Sequence, residues 1–396
     1  MVPSDDLPDA LQRLGERPKP SSRLPGPLRI AVLAGGANTE RNVSLSSGTA
    51  VTRALRALGH AVAFVDSAAS PVVPDDDPAR AFLGAEVDPD DLADTPMAPT
   101  AATPPPLEAL AEVRARQRDG VLAEGLLPIL AEADVVFLTV FGDEGESGAT
   151  QAFLDRYGLL YTGPSAEVCA LTFDKVRTKQ ALVAHGVRTA AWHVVRRDRS
   201  AEDLAALELP GPWIVKPHAG GSTIGLSRVD DPRQLARACE LACAEGRDAL
   251  IEVFVPGRDL TIGALGHQVF AVVEASTDRE IYDYEAKYAP GAADKRVPAD
   301  LPEPVTAEVR RLTGQVHQLL GIGDTSSRTD FRLEPDGSVC FLETNPLPGM
   351  TPTSSYPRSA AGQGLDFPQL CEELVIRALR RAGRDLPHLT APADPG

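Results

Sequence analysis

Apolar residues first become periodic at Leu28. The run LRIAVLAGG (28–36) ends in two glycines, the pattern of a buried strand entering a turn. SLSSGTAVTRALRALGH then places Val51, Leu55 and Leu58 on one helical face, and AVAFVD predicts a second strand. Strand, loop, helix and strand in that order predict a parallel α/β sheet whose functional loop follows the first strand.

Further on, helices are predicted over Leu107 to Arg118 and Val121 to Ala133, a strand over DVVFLTVFG, a helix over Gly148 to Tyr157 and a short strand at LLYTG. A helix beginning near Thr172 stops on Gly186. HVVRR, PWIVKP and ALIEVFV read as strands, the last two separated by a glycine loop and the helix ARACELACAEG. DLTIGALG and QVFAVVEA alternate around a Gly-His turn, which predicts antiparallel pairing. A helix over Val305 to Leu320, a hairpin turning at Asp336-Gly337 and a helix over Phe367 to Ala382 complete the periodic part. No internal repeat is visible.

Between these lie two irregular stretches. Residues 1–26 are charged and proline-rich, with too little apolar surface to offset ordering entropy, and predict a disordered tail. Residues 67–106 are rich in Pro, Ala and Asp and read as an insertion or surface loop. The expected division is a tail over 1–26, an N-terminal α/β domain over 27–164, a central subdomain over 165–255 and a C-terminal subdomain over 256–390. The 396 residues agree with the roughly two or three domains expected at about 150 residues each.

A formal net charge of −17 removes the electrostatic attraction that non-specific nucleic-acid binding needs, so a nucleic-acid partner is not expected. A small anionic substrate would have to find its counter-charges concentrated in one cleft. The five cysteines are odd in number and hold no Cys-x-x-Cys pair, and with no apolar run near 18 residues they point to a cytoplasmic chain without a membrane partner. Cys239 and Cys243, four apart on one helix face, read as small buried hydrophobes. The seven histidines form no metal spacing, and His218 reads as loop packing.

Four segments carry candidate chemistry. On the hairpin, Glu343 and Asn345 share a strand face and Asp330 lies across from Glu343, an oxygen set suited to Mg²⁺, although acidic positions on a lone hairpin are more often simply a solvated face. KPHAGGSTIGLS (216–227) leaves a strand with Lys216 as a fixed charge and three glycines around Ser222 and Thr223, which is either a phosphate loop or an ordinary turn and is not a Walker sequence. YDYEAKY (282–288) runs into Pro-Gly and reads as a lid bearing Lys287 and Tyr288, or as a surface loop with an aromatic anchor. NPLPGMT (345–351) lets Gly349 present a bare backbone N–H to an oxyanion.

Taken together, GGANTERNVSLSSG, DKVRTK, KPHAGGSTIGLS, YDYEAKY and FLETNPLPGMT stand in the order found in ATP-grasp ligases, and the chain resembles the D-alanine:D-alanine ligases among them from about Leu28 to Ala382, with 67–106 unmatched. The resemblance implies an ATP-grasp architecture: an N-terminal parallel α/β domain followed by two α+β domains clamping ATP. It implies ATP and two Mg²⁺ ions, or Mn²⁺ in their place, as cofactors, small amino-acid-like substrates, and a homodimer. Lys175 and Lys216 match the ATP-phosphate lysines; Glu252, Phe254 and Val255 match the adenine segment, and Asp259 stands at the ribose position. Asp330, Glu343 and Asn345 match the metal ligands, and Lys287 the lid lysine that meets phosphate. Glu40 matches the carboxylate that receives the first substrate's ammonium, with Ser222 and Tyr288 as its hydrogen-bonded partners. Arg328 and Gly349 match the groups that stabilise the oxyanion, and Ser354 a contact to the second substrate's carboxylate.

The implied chemistry is attack of an amino-acid carboxylate on the γ-phosphate, then attack of a second substrate's amine on the acyl phosphate to form an amide. The departures fall in the substrate half: Phe141 replaces a family His, Asn42 a Glu, Pro346 and Leu347 follow the metal Asn, and Ser355 replaces an apolar residue. They predict an altered donor pocket and weak use of D-alanine, so a ligase of the same mechanism joining other substrates in specialised metabolism is the alternative. A small-molecule kinase is a further reading, but it would not need Glu40 with Tyr288. A non-catalytic nucleotide-binding module would be expected to have lost a metal ligand, and none is lost.

Overall fold

The computed structural model describes residues 21–69, 77–82, 104–117, 120–198, 200–244, 246–276 and 294–384. The first unit runs β1 (Arg29–Ala34), α1 (Arg41–Ala57), β2 (Ala61–Asp66), α2 (Leu107–Arg114), α3 (Leu126–Ala131), β3 (Val135–Leu138), α4 (Asp143–Glu146) and α5 (Ala149–Arg156). Its sheet has the order β2-β1-β3 and is parallel throughout. The strands are continuously apolar because both faces are covered: Ile30 and Val32 enter one core cluster, Ala31 and Leu33 another.

The central unit holds α6 (Ala166–Phe173), α7 (Lys175–Val183), β4 (Trp192–Val195), α8 (Ser200–Ala205), β5 (Trp213–Pro217), β6 (Ser227–Val229), α9 (Leu235–Ala242) and β7 (Ala249–Val253). The antiparallel sheet β4-β7-β5-β6 packs on α9 around Val215, Ala238 and Ile251. Then come β8 (Arg258–Leu265), β9 (Gln268–Ser276), β10 (Asp294–Arg296), α10 (Glu303–Leu319), β11 (Ser326–Leu333), β12 (Val339–Asn345), α11 (Ser355–Ala361) and α12 (Phe367–Arg381). The five strands form the antiparallel order β10-β9-β8-β11-β12. The last helix, α12, returns to the first unit: Leu370, Leu374 and Ile376 share a core with Ile30, Val32, Leu55 and Phe137. Each such side chain contributes about 1.5–3 kcal/mol on burial. Among the described residues no helix is long and apolar enough to cross a membrane.

The order of elements follows the pattern in the sequence, with local differences. LLYTG forms no named strand; Tyr161 makes one parallel bridge to Val136, and the Thr162 hydroxyl then takes the Leu138 N–H at 3.0 Å. The helix expected from Val121 begins only at Leu126, because Gly125 turns the chain at φ 84°. The helix expected from Thr172 is two helices, broken at Asp174, whose carboxylate caps the second by accepting the Val176 and Arg177 N–H groups at 3.0 Å. Residues 21–26 are not free: Leu24 is buried, and Ser22 and Arg23 bond to Glu372 and Glu373 of α12. Most of the 67–106 insertion lies outside the described residues, as do Lys287 and Tyr288.

Candidate active site

A cleft opens between the central and C-terminal sheets and reaches the loop after β1. Most of the described residues singled out in the sequence line it: Glu40, Phe141, Lys175, Lys216, Ser222, Glu252, Phe254, Val255, Asp259, Arg328, Asp330, Glu343, Asn345, Gly349, Ser354 and Ser355, whereas Asn42 and Pro346 are not among its lining residues.

The hairpin gives the cleft its anionic side. Asp330 and Glu343 are register partners across β11 and β12, and a bulge follows Asp330. The Glu343 carboxylate stands 3.7 Å from the Lys175 ammonium, so the ribbon faces the lysines of the central unit. Asp330 takes two 3.0 Å hydrogen bonds from Arg328 and one from the Thr261 hydroxyl at 2.5 Å. The Leu347 N–H donates to Asn345 Oδ1 at 2.8 Å and fixes that amide. Among the described residues no three His, Cys, Asp or Glu side chains gather as a metal cluster. The donor set is thus two carboxylates and one amide oxygen, which fits a hard cation that keeps waters and shares its remaining positions with phosphate.

The lysines are set by secondary structure. Lys175 opens α7 directly after the Asp174 cap, its N–H donates to His218 O at 2.9 Å, and its Nζ donates to Gly220 O at 2.5 Å. Burial draws its ammonium below the ordinary value, opposed first by Glu343. Lys216, in β5, pairs with Glu252 at 2.7 Å; burial pulls it down too, but Glu252 and Glu343 overcome that and hold it above its usual range. Glu252 also takes Lys179 at 2.5 Å, and burial is outweighed by these two lysines, which keep its carboxyl below its usual value. Lys179 went unassigned in the sequence, although it lies four residues after Lys175 on the same helix face.

Another wall of the cleft is Phe254, with the Arg228 and Arg332 guanidinium carbons 4.5 and 5.8 Å from its ring centroid. Arg332 also pairs with Asp259 at 2.7 Å and donates to Val255 O at 3.0 Å. Neither arginine carries a local sequence signal, because each is defined by a partner on another strand.

Toward the N-terminal unit, the Ser222 hydroxyl donates to Glu40, which stands at the start of α1. Ser222 and Thr223 hold φ of 51° and 61°, a left-handed backbone that L residues adopt only when the surroundings impose it. A Cβ on Gly221 would lie 2.6 Å from the Glu40 carboxylate, so a larger residue there would displace that side chain from Ser222. The loop with Gly349 is tied to α1 by the Met350 N–H donating to Ser47 at 3.2 Å, and the Ser354 hydroxyl accepts the Thr351 N–H at 3.2 Å. His218 packs against Asp248, as expected of a structural residue.

Glu146 is a buried carboxyl near this side to which the sequence analysis assigns no role. It accepts the Gly142 N–H at 2.8 Å, and burial, then the charge of Glu40, push its pKa from 4.5 up to about 8. The unfolded chain loses this proton near 4.5 and the folded chain near 8, so stability falls as pH rises between them. Glu146→Gln is expected to remove that slope, gaining on the order of a few kcal/mol over the parent at the alkaline end, as read from urea midpoints by circular dichroism. An unchanged slope would mean the carboxyl is not held protonated.

Known proteins match along almost the whole chain. The family model "D-ala D-ala ligase N-terminus" matches residues 29–164 and "D-ala D-ala ligase C-terminus" residues 182–376. The D-alanine--D-alanine ligase of Nitratidesulfovibrio vulgaris (strain DP4) is 34% identical over 358 residues, covering 90% of this chain and 100% of the relative. That of Gluconobacter oxydans (strain 621H) is 36% identical over 362 residues, covering 89% and 100%. Among solved structures, the VanG D-Ala:D-Ser ligase from Enterococcus faecalis superposes with a TM-score of 0.67 at 22% identity, covering 89% of this chain and 99% of that one. The D-alanine--D-Alanine ligase from Bacillus anthracis complexed with ATP gives 0.66 at 21%, covering 90% and 99%.

Proposed function

Since this chain belongs to the D-alanine–D-alanine ligase family and is an ATP-dependent, amide-forming ligase, we propose that it activates the carboxylate of one D-alanine-like amino acid as an acyl phosphate and couples it to the amine of a second. The observation that carries the reading is the approach of the Glu343 carboxylate to Lys175 across the cleft, with Asp330 beside it and Lys216 on the same wall.

In this reading Glu40, oriented by Ser222, receives the donor's ammonium and leaves its carboxylate turned toward the phosphate side. Lys175 and Lys216 neutralise the triphosphate, which otherwise repels the attacking carboxylate. Asp330, Glu343 and Asn345 would hold Mg²⁺, which when bound shields phosphate charge. When the second amine attacks the acyl carbonyl, Arg328 and the Gly349 N–H stabilise the oxyanion as phosphate leaves. Ser354 and Ser355 border the acceptor side. Lys287 and Tyr288 complete the proposal as the lid that excludes water from the acyl phosphate.

A second reading is favoured by one residue. Phe141 is buried on the cleft wall, an apolar ring where the resembled family has a histidine, which supports a donor other than D-alanine. A phosphate-release screen of D- and L-amino acids in pairs, with ATP and Mg²⁺, separates the two. Release highest with D-alanine in both positions supports the first; release with another donor and little with D-alanine supports the second. Absence of release with every pair would overturn the proposal.

A further inference from the structure

The reaction described above leaves Arg247 without a task, yet its position is unusual. It lies two residues before β7, and its guanidinium joins two segments that flank the cleft. Nη1 donates to the Ala219 carbonyl at 2.7 Å, and Nη2 is ion-paired with Asp143. The guanidinium carbon lies 5.5 Å from the centroid of the Phe173 ring. Ala219 belongs to the glycine loop after β5; Asp143 opens α4, two residues after Phe141. We propose that Arg247 is a positioning residue: its bridge between Ala219 and Asp143 fixes the glycine loop against the N-terminal unit, and so places Ser222 on Glu40.

The local geometry separates this role from the phosphate lysines. Lys216 is already held in β5 by its pairing with β7 and by Glu252. Lys175 is held by the α7 cap and its own N–H to His218. Lys216 makes these contacts outside the bridged loop, and Lys175, whose place on α7 is set by the Asp174 cap, meets that loop through the Gly220 carbonyl. Ser222 is different: it follows two glycines, sits at φ 51°, and meets Glu40 only if the backbone between Ala219 and Ser222 is restrained. Gly220 leaves room for the guanidinium, since a Cβ there would lie 2.3 Å from Arg247 Nη1. Asp143 supplies the anchor on the other side. Because its side chain is 40% exposed against 15% for Arg247, Asp143→Asn changes the pair without opening a core.

The choice of D-alanine as donor rests on the proposed function; the bridge itself does not. The test therefore uses the full-length protein with two measurements, on Arg247→Met, Asp143→Asn and the double variant. In steady-state phosphate release, kcat/KM for D-alanine is expected to fall about 10-fold in each single variant while kcat/KM for ATP moves less than about threefold, and the double variant should be no worse than either single. Independently of any substrate, amide hydrogen exchange over 218–223 is expected to quicken in all three variants. An unchanged kcat/KM for D-alanine, an equal fall for ATP, or additive losses in the double variant would overturn the assignment. If the parent does not use D-alanine, the donor reading fails alone, and the exchange rates decide the bridge: faster exchange upholds it and unchanged exchange overturns it.

Discussion

Glu343→Gln is expected to lower ATP-dependent phosphate release by roughly 100-fold or more, the scale of losing one preorganised electrostatic stabiliser. The substitution keeps the shape of the side chain and removes only its charge. On the hairpin that charge stands opposite Asp330 and 3.7 Å from Lys175, so the loss falls on both the proposed cation site and the lysine beside it. With the carboxylate gone, burial acts on Lys175 less opposed, and its ammonium drops further below the ordinary value. The measurement is release at saturating ATP over a range of Mg²⁺ concentrations. A rate near that of the parent would reject the oxygen triad as the working centre of the cleft.

The second large effect concerns stability. Glu252 is the shared counter-ion of Lys179 and Lys216, and all three are buried. Glu252→Gln leaves two ammonium groups in low dielectric without their carboxylate, and removing one partner of a buried ion pair costs about 3–5 kcal/mol. The chain offers its own probe. Both tryptophans, Trp192 in β4 and Trp213 in β5, lie in the central sheet, so urea unfolding followed by fluorescence reports on the unit that carries Glu252. The midpoint is expected to fall sharply in the variant, while ellipticity from the rest of the molecule is affected less. Coincident, unshifted fluorescence curves would show that the lysines find other partners. In the parent, this carboxyl is held below its unfolded value, so its contribution is full above the ordinary carboxylate range and is lost as pH falls through it.

Much of this was readable before any coordinates. Elements with clear local signals are legible within a few residues: β1 is a buried run, β11 alternates in burial, and β8 and β9, although largely buried, are marked by the glycine turn between them. Lys216, Ser222, Glu343, Asn345 and Gly349 are named from local sequence, a lysine leaving a strand into a glycine loop and an acid two positions before an asparagine, whereas Glu40, Lys175, Glu252, Phe254, Val255, Asp259, Arg328 and Ser354 are named only through the resemblance of the whole motif order. What escaped is what depends on distant partners. Lys179 and Arg247 take their meaning from Glu252 and Asp143, 73 and 104 residues away. The helix α11 was hidden by Pro357 in its first turn, where proline costs no intrahelical hydrogen bond. Residues 21–26 read as tail because their charge and proline content says nothing of Glu372 and Glu373.

The return of α12 to the N-terminal sheet ties the first part of the chain to be made to the last. As the polypeptide leaves the ribosome, β1, β2 and β3 can pair and α1 can cover part of the face bearing Ile30, Val32 and Phe137 with Val51, Ala54 and Leu55, but that core is completed only when residues beyond 367 emerge. The N-terminal unit is therefore a late finisher despite its early synthesis, with the apolar area that α12 buries exposed for most of translation.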